Sequence, residues 1–145
     1  MTSCQPPQPG IDAFHKERSR CLDAFVACEE AVIALLLTSG CKFGNEPFGS
    51  KVEALRKAKS SPTYSAKRKR AVNGLLEQFE DLLELRNDLV HSRLQIATIS
   101  EDQRACFINA RQSPTGTQTA RLFSLKNLQD LTKKAADLAK RLREV

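Results

Sequence analysis

Leu85-Arg86-Asn87-Asp88-Leu89-Val90-His91-Ser92 closes an apolar run, Val72, Leu75, Leu76, Phe79, Leu82 and Leu83, whose members recur at steps of three and four residues. That period lays them along one stripe of an α-helix, so the segment is amphipathic and packs through one face. Its one strong polar cluster falls at the C-terminal end, together with one of the chain's two histidines. A fold built on such segments is a helical bundle, and any chemistry the chain performs is expected at this end.

Upstream, Ser65 or a neighbour is expected to open this helix, which passes through Lys67-Arg68-Lys69-Arg70; Gly74 inside it weakens it slightly and suggests a close helix crossing. Before it, Ser50-Lys51-Val52-Glu53 has capping-box spacing and predicts a short helix to about Lys59, ended by Ser60-Ser61-Pro62-Thr63. Earlier still, Asp12 is placed to cap a long helix carrying Phe14, Cys21, Leu22, Phe25, Cys28, Val32, Leu35 and Leu36 on one stripe and stopped by Gly40. Its second half, Ala31 to Leu37, is apolar all round, which implies burial on several sides within a bundle or against a partner subunit.

Beyond Ser92 the period changes from helical to alternating. Leu94–Ile99, Arg104–Asn109 and Gln118–Phe123 are short runs rich in β-branched and aromatic residues and predict a hairpin or three-stranded meander. Ser113-Pro114-Thr115-Gly116 forms its second turn, expected as an exposed, mobile tip. Ser124 then caps a last helix with Leu125, Leu128, Leu131, Ala135, Leu138, Ala139 and Leu142 on one face. The expected fold class is mainly α: an up-and-down bundle of about four helices, with a small antiparallel β element inserted at about 94–123.

With 145 residues, 41% hydrophobic and 28% charged, the chain is long enough to bury a core without disulfides or metal. A single domain over residues 11–145 is expected behind a polar, proline-rich lead, 1–10, read as disordered. That lead has no apolar core of a secretory signal, and the longest apolar run, Ala31 to Leu37, is too short to span a bilayer. The expectation is a soluble cytoplasmic protein. Five cysteines without a Cys-x-x-Cys pair argue against a disulfide framework and a zinc ribbon, and Cys21 and Cys28 read as small core residues. The net charge of +6 suits an acidic partner. The excess concentrates between Lys51 and Arg70, where Lys67, Arg68, Lys69 and Arg70 form either a solvated helix face or a contact for a phosphate backbone.

On a helix, Asn87 and His91 are four residues apart and share a face with Glu84 and Asp88. Arg86 lies about 140° round from His91, yet its long side chain can swing toward the same end. The pair has chemical sense: imidazole exchanges a proton near neutral pH, and guanidinium grips a phosphate with two prongs without losing its charge.

In this context Arg86-Asn87-x-x-x-His91 resembles the signature of HEPN domains, an arginine, usually followed by a polar residue, with a histidine shortly after it near the end of a bundle helix. Placement on the third of four helices fits; the β insertion from Leu94 to Phe123 departs from that pattern and could reshape the groove. The resemblance implies a symmetric homodimer whose two motifs meet and, in many members, a metal-independent endoribonuclease of toxin or defence type, with a cognate protein partner or antitoxin as a further possibility and no cofactor. By that carry-over His91 is the general base on the ribose 2′-hydroxyl, Arg86 steadies charge on the phosphate and Asn87 orients one of them.

Three other readings compete. Arg86 could simply pair with Glu84 or Asp88 while His91 caps the helix end. Asp88 with His91, and Asp12 with His15, have the three-residue step of helical di-metal sites, with Glu84 or Glu17 as bridges, although the metal-free reading is preferred. Finally, the chain could be a non-catalytic dimerisation or nucleotide- or protein-interaction module that associates through Ala31 to Leu37.

Overall fold

The computed structural model describes residues 8–112, 116 and 118–145. The leading residues 1–7 of the expected disordered segment, and Ser113-Pro114-Thr115 of the expected mobile tip, lie outside the described residues. Among the described residues four helices and three strands follow one another: α1 (Ile11–Ser39), α2 (Phe48–Lys57), α3 (Ala66–His91), β1 (Ser92–Ile99), β2 (Asp102–Gln112), β3 (Gln118–Phe123) and α4 (Leu125–Glu144). The fold is the expected one, mainly helical with a small antiparallel sheet, in the order β1-β2-β3, before the last helix.

Helix ends follow local chemistry where a side chain can reach the backbone. Ser65 and Ser124 accept hydrogen bonds from the N–H groups of Arg68 and Asn127, as their sequences predict. Gly40 ends α1 in the left-handed region at φ 75°, where Gly40 N–H reaches Leu37 O and Cys41 N–H reaches Leu36 O. Two expected caps are not formed. Asp12 lies inside the first turn of α1, whose N-cap is Gly10. Helix α2 starts at Phe48, before the Ser50–Glu53 box, because burying the Phe48 ring edge-on to Phe79, centroids 5.9 Å apart, fixes the entry nearly a turn early, with Pro47 and not Ser50 at the cap. The same helix ends at Lys57 rather than Lys59, and the buried Ala58 follows it in extended conformation.

Helix α1 is the hub and packs against the three other helices and β1. Near its start Arg18 meets the end of α3, and near its finish Thr38 accepts a bond from Thr63 just ahead of α3, so the two run antiparallel. Helices α3 and α4 are also antiparallel, since Arg70 lies by Arg141 while Leu85 lies by Asn127. Phe14, Phe25, Val32, Leu36, Leu55, Val72, Leu76, Phe79, Leu89, Phe107, Leu128 and Leu142 fill the core between them. Cys21 and Cys28 are buried with them as expected. Of the apolar stretch on α1, Ala31, Val32, Leu35 and Leu36 are buried, whereas Leu37 is 67% exposed. Gly74 makes no close crossing: a Cβ there would meet nothing within 4 Å, and the residue borders a 530 Å³ cleft between α3 and α4.

The sheet follows α3 without a connecting residue, His91 ending the helix and Ser92 beginning β1. Ile99 pairs with Asp102 across a two-residue turn in which Ser100 and Glu101 both have positive φ, the geometry whose twist matches a hairpin. Gln8 ties itself to this turn, donating to Glu101 O and accepting from Gln103 N–H. Alternation sends Ala105, Phe107 and Phe123 to the helices, and the Phe107 and Phe123 rings pack edge to face at 5.5 Å.

Candidate functional site at the junction of α3 and the sheet

The last two turns of α3 carry Glu84, Arg86, Asn87, Asp88 and His91. Arg86 is half-buried; its Nη1 donates to Asn87 Oδ1 at 3.0 Å and its guanidinium lies over the Phe48 ring, 5.9 Å from the centroid. The hydrogen bond turns the arginine toward Asn87, which shares the helix face of His91. His91 is half-buried at the final helical position, where the backbone dipole favours a cation, and no described residue hydrogen-bonds its ring.

The acids do not pair with Arg86. Arg121 of β3 takes both, donating through Nη2 to Glu84 Oε1 at 3.0 Å and through Nε to Asp88 Oδ2. The other Asp88 oxygen accepts from Asn109 Nδ2 of β2 at 2.7 Å. Asp88 is 8% exposed, so occupation of both oxygens is what makes a carboxylate tolerable there. Arg18 of α1 closes the helix end from beneath, its Nη2 donating to Ser92 O at 2.7 Å and its Nε to Leu89 O at 3.1 Å, with the guanidinium 5.8 Å from the Phe107 ring centroid. Burial lowers the Arg18 pKa from its ordinary value, while the carbonyls give the charge partners.

Arg86, Asn87 and His91 thus share the last two turns of α3, with the Arg86 guanidinium bonded to Asn87 and laid over Phe48. The basic run is elsewhere: Lys67 to Arg70 occupies the first turns of α3, roughly 32–36 Å from His91 at 1.5 Å rise per residue. One phosphate cannot touch both groups. For the di-metal alternative, no three His, Cys, Asp or Glu side chains among the described residues are grouped so as to hold a metal ion. His15 is exposed, and Glu17 is buried beside Arg20. No helix among the described residues is long and apolar enough to cross a membrane.

Arg18, Asn109 and Arg121 are absent from the motif as read from sequence. Two of them leave a trace there. Arg18 is four residues after Phe14 and four before Leu22, a lone cation within the apolar stripe of α1; Arg121 is two before Phe123, on the inward side of its strand. A charge on a core-facing position requires a buried partner, although the sequence does not say which. Compared with models of known families, with curated proteins and with solved structures, the chain finds no match.

Proposed function

We propose that the chain is a HEPN-like RNA-binding protein that cleaves RNA without a metal, at a site built from Arg86, Asn87 and His91 and completed by the same residues of a second copy. The observation that carries this reading is the pairing of Arg86: its guanidinium is held by Asn87 and an aromatic ring, while the neighbouring carboxylates are bound by Arg121. An arginine held in place but bound to no carboxylate is suited to a phosphate. A purely structural motif would spend Arg86 on Glu84 or Asp88.

In the proposed reaction the His91 imidazole removes the proton of a ribose 2′-hydroxyl, whose oxygen attacks the adjacent phosphorus. The bond to the 5′-oxygen breaks, that oxygen takes a proton from an imidazolium, and the products are a 2′,3′-cyclic phosphate and a 5′-hydroxyl end. Arg86 offsets the charge growing on the non-bridging oxygens. Lys67 to Arg70 lies too far off for the chemistry and would hold a flanking stretch of the strand through its phosphates. We place the activity in the cytoplasm, where a ribonuclease of toxin or defence type would need restraint by a cognate protein.

Single-stranded RNA should be cut in EDTA to 2′,3′-cyclic ends, and DNA, lacking the attacking hydroxyl, should not. His91→Ala and Arg86→Ala should each lower the rate by roughly 100-fold or more, in keeping with loss of a general base or of an electrostatic clamp. Cutting that survives both changes rules the site out. Stable variants of a parent that binds no RNA at low salt would instead leave a non-catalytic interaction module.

A further inference from the structure

We infer that Arg121, supplied by the β insertion, is a positioning residue that makes the end of α3 receptive to a phosphate by neutralising the two acids beside His91. The inference rests on the phosphate-binding reading above. Asp88 and Glu84 lie three and seven residues before His91, so all three side chains leave the helix on one side. Any phosphate brought to His91 therefore approaches both carboxylates, and like charges brought together oppose binding. Arg121 spans them, with Nη2 on Glu84 and Nε on Asp88.

The guanidinium is held in that place by the sheet itself. Arg121 sits opposite Phe107 in the β2–β3 register, and two residues on, Phe123 packs its ring against Phe107 in the core. Asn109, two residues along β2, takes the remaining Asp88 oxygen. Two strands thus converge on one carboxylate that the helix alone would leave unpaired. A bundle lacking the insertion would present the same motif beside two uncompensated negative charges, so the sheet supplies the local charge balance of the site.

The test measures binding of a short single-stranded 2′-O-methyl RNA, which cannot be cleaved, to the full chain. Arg121→Gln should weaken binding roughly tenfold or more at low salt, and the deficit should shrink as added salt screens the released carboxylates, the exposed Glu84 above all. The triple variant Glu84→Gln, Asp88→Asn, Arg121→Gln lacks the ion pairs entirely, yet should bind nearly as well as the parent, because no acid is left to repel the phosphate. A merely structural ion pair would show no such rescue. If Arg86→Ala and His91→Ala weaken binding while Arg121→Gln does not, or the triple variant is as weak as the single one, the role of Arg121 is overturned and the phosphate site stands. If Arg86→Ala and His91→Ala leave binding unchanged, or the parent binds no RNA at all, the phosphate reading falls and the inference with it.

Discussion

Arg18 occupies the buried side of α1, an unfavourable place for a cation until the carbonyls of Leu89 and Ser92 are brought to it. Those carbonyls belong to the α3–β1 junction, where helix hydrogen bonding stops and acceptors would otherwise be left without donors. Arg18 Nη2 alone reaches both, and Nε adds a second bond to Leu89 O from a prong that a lysine lacks. Arg18→Met should destabilise the protein by about 2 kcal/mol, since charged hydrogen bonds contribute roughly 1.5–3 kcal/mol and their buried acceptors are then orphaned; Arg18→Lys should lie between variant and parent in a denaturant titration. At this scale the sequence revealed which residues have chemical capacity and not whom they meet. Arg86, Asn87 and His91 could be picked out because they are adjacent on one helix, whereas Arg121 reaches Asp88 across 33 positions and Arg18 reaches Leu89 across 71. Helical periodicity carries no information about such partners.

Among the elements, those whose burial and local chemistry agree were legible in the sequence. Helix α3 ends at His91 and β3 spans Gln118–Phe123, as their patterns suggest, and Ser65 and Ser124 cap as expected. Where local and tertiary preferences disagree, packing prevails: the capping box at Ser50 loses to insertion of the Phe48 ring, and α2 begins before it. Gly74 is the opposite case, a weak helix residue without a packing reason. It lies in the interior of α3 on an exposed turn, with open space around the missing Cβ. Gly74→Ala should therefore stabilise the protein by about 0.5–1 kcal/mol, the helix preference of alanine over glycine, measured as a rise in the denaturation midpoint.

For the whole molecule, the core around α1 governs the chemistry of the thiols. Burial pushes Cys21 up to about 11 and Cys28 up to about 12 from an ordinary 9.0. Well below pH 9, near neutrality, both stay protonated in folded and unfolded chains alike and do not alter stability with pH. As the pH climbs from 9 toward those folded values, the unfolded chain ionises first and the folded state loses ground. Cys28→Ala should consequently lose less stability than the parent between pH 8 and pH 10, and thiol reagents at pH 8 should reach Cys21 and Cys28 only after denaturation. Bundle class and core membership were readable in advance because α1 and α4 keep apolar stripes along their full lengths, while the way the sheet folds back on α3 depends on contacts between segments far apart in sequence. The direct passage from His91 into Ser92 has a last consequence for how this protein can diverge. A strand alternates its faces every residue, so one residue inserted at that joint would turn Leu94 and Ile96 outward and carry β2 and β3 out of step with the helix. The joint therefore behaves like a keyed coupling, and length variation among descendants of this chain should spare the boundary between residues 91 and 92.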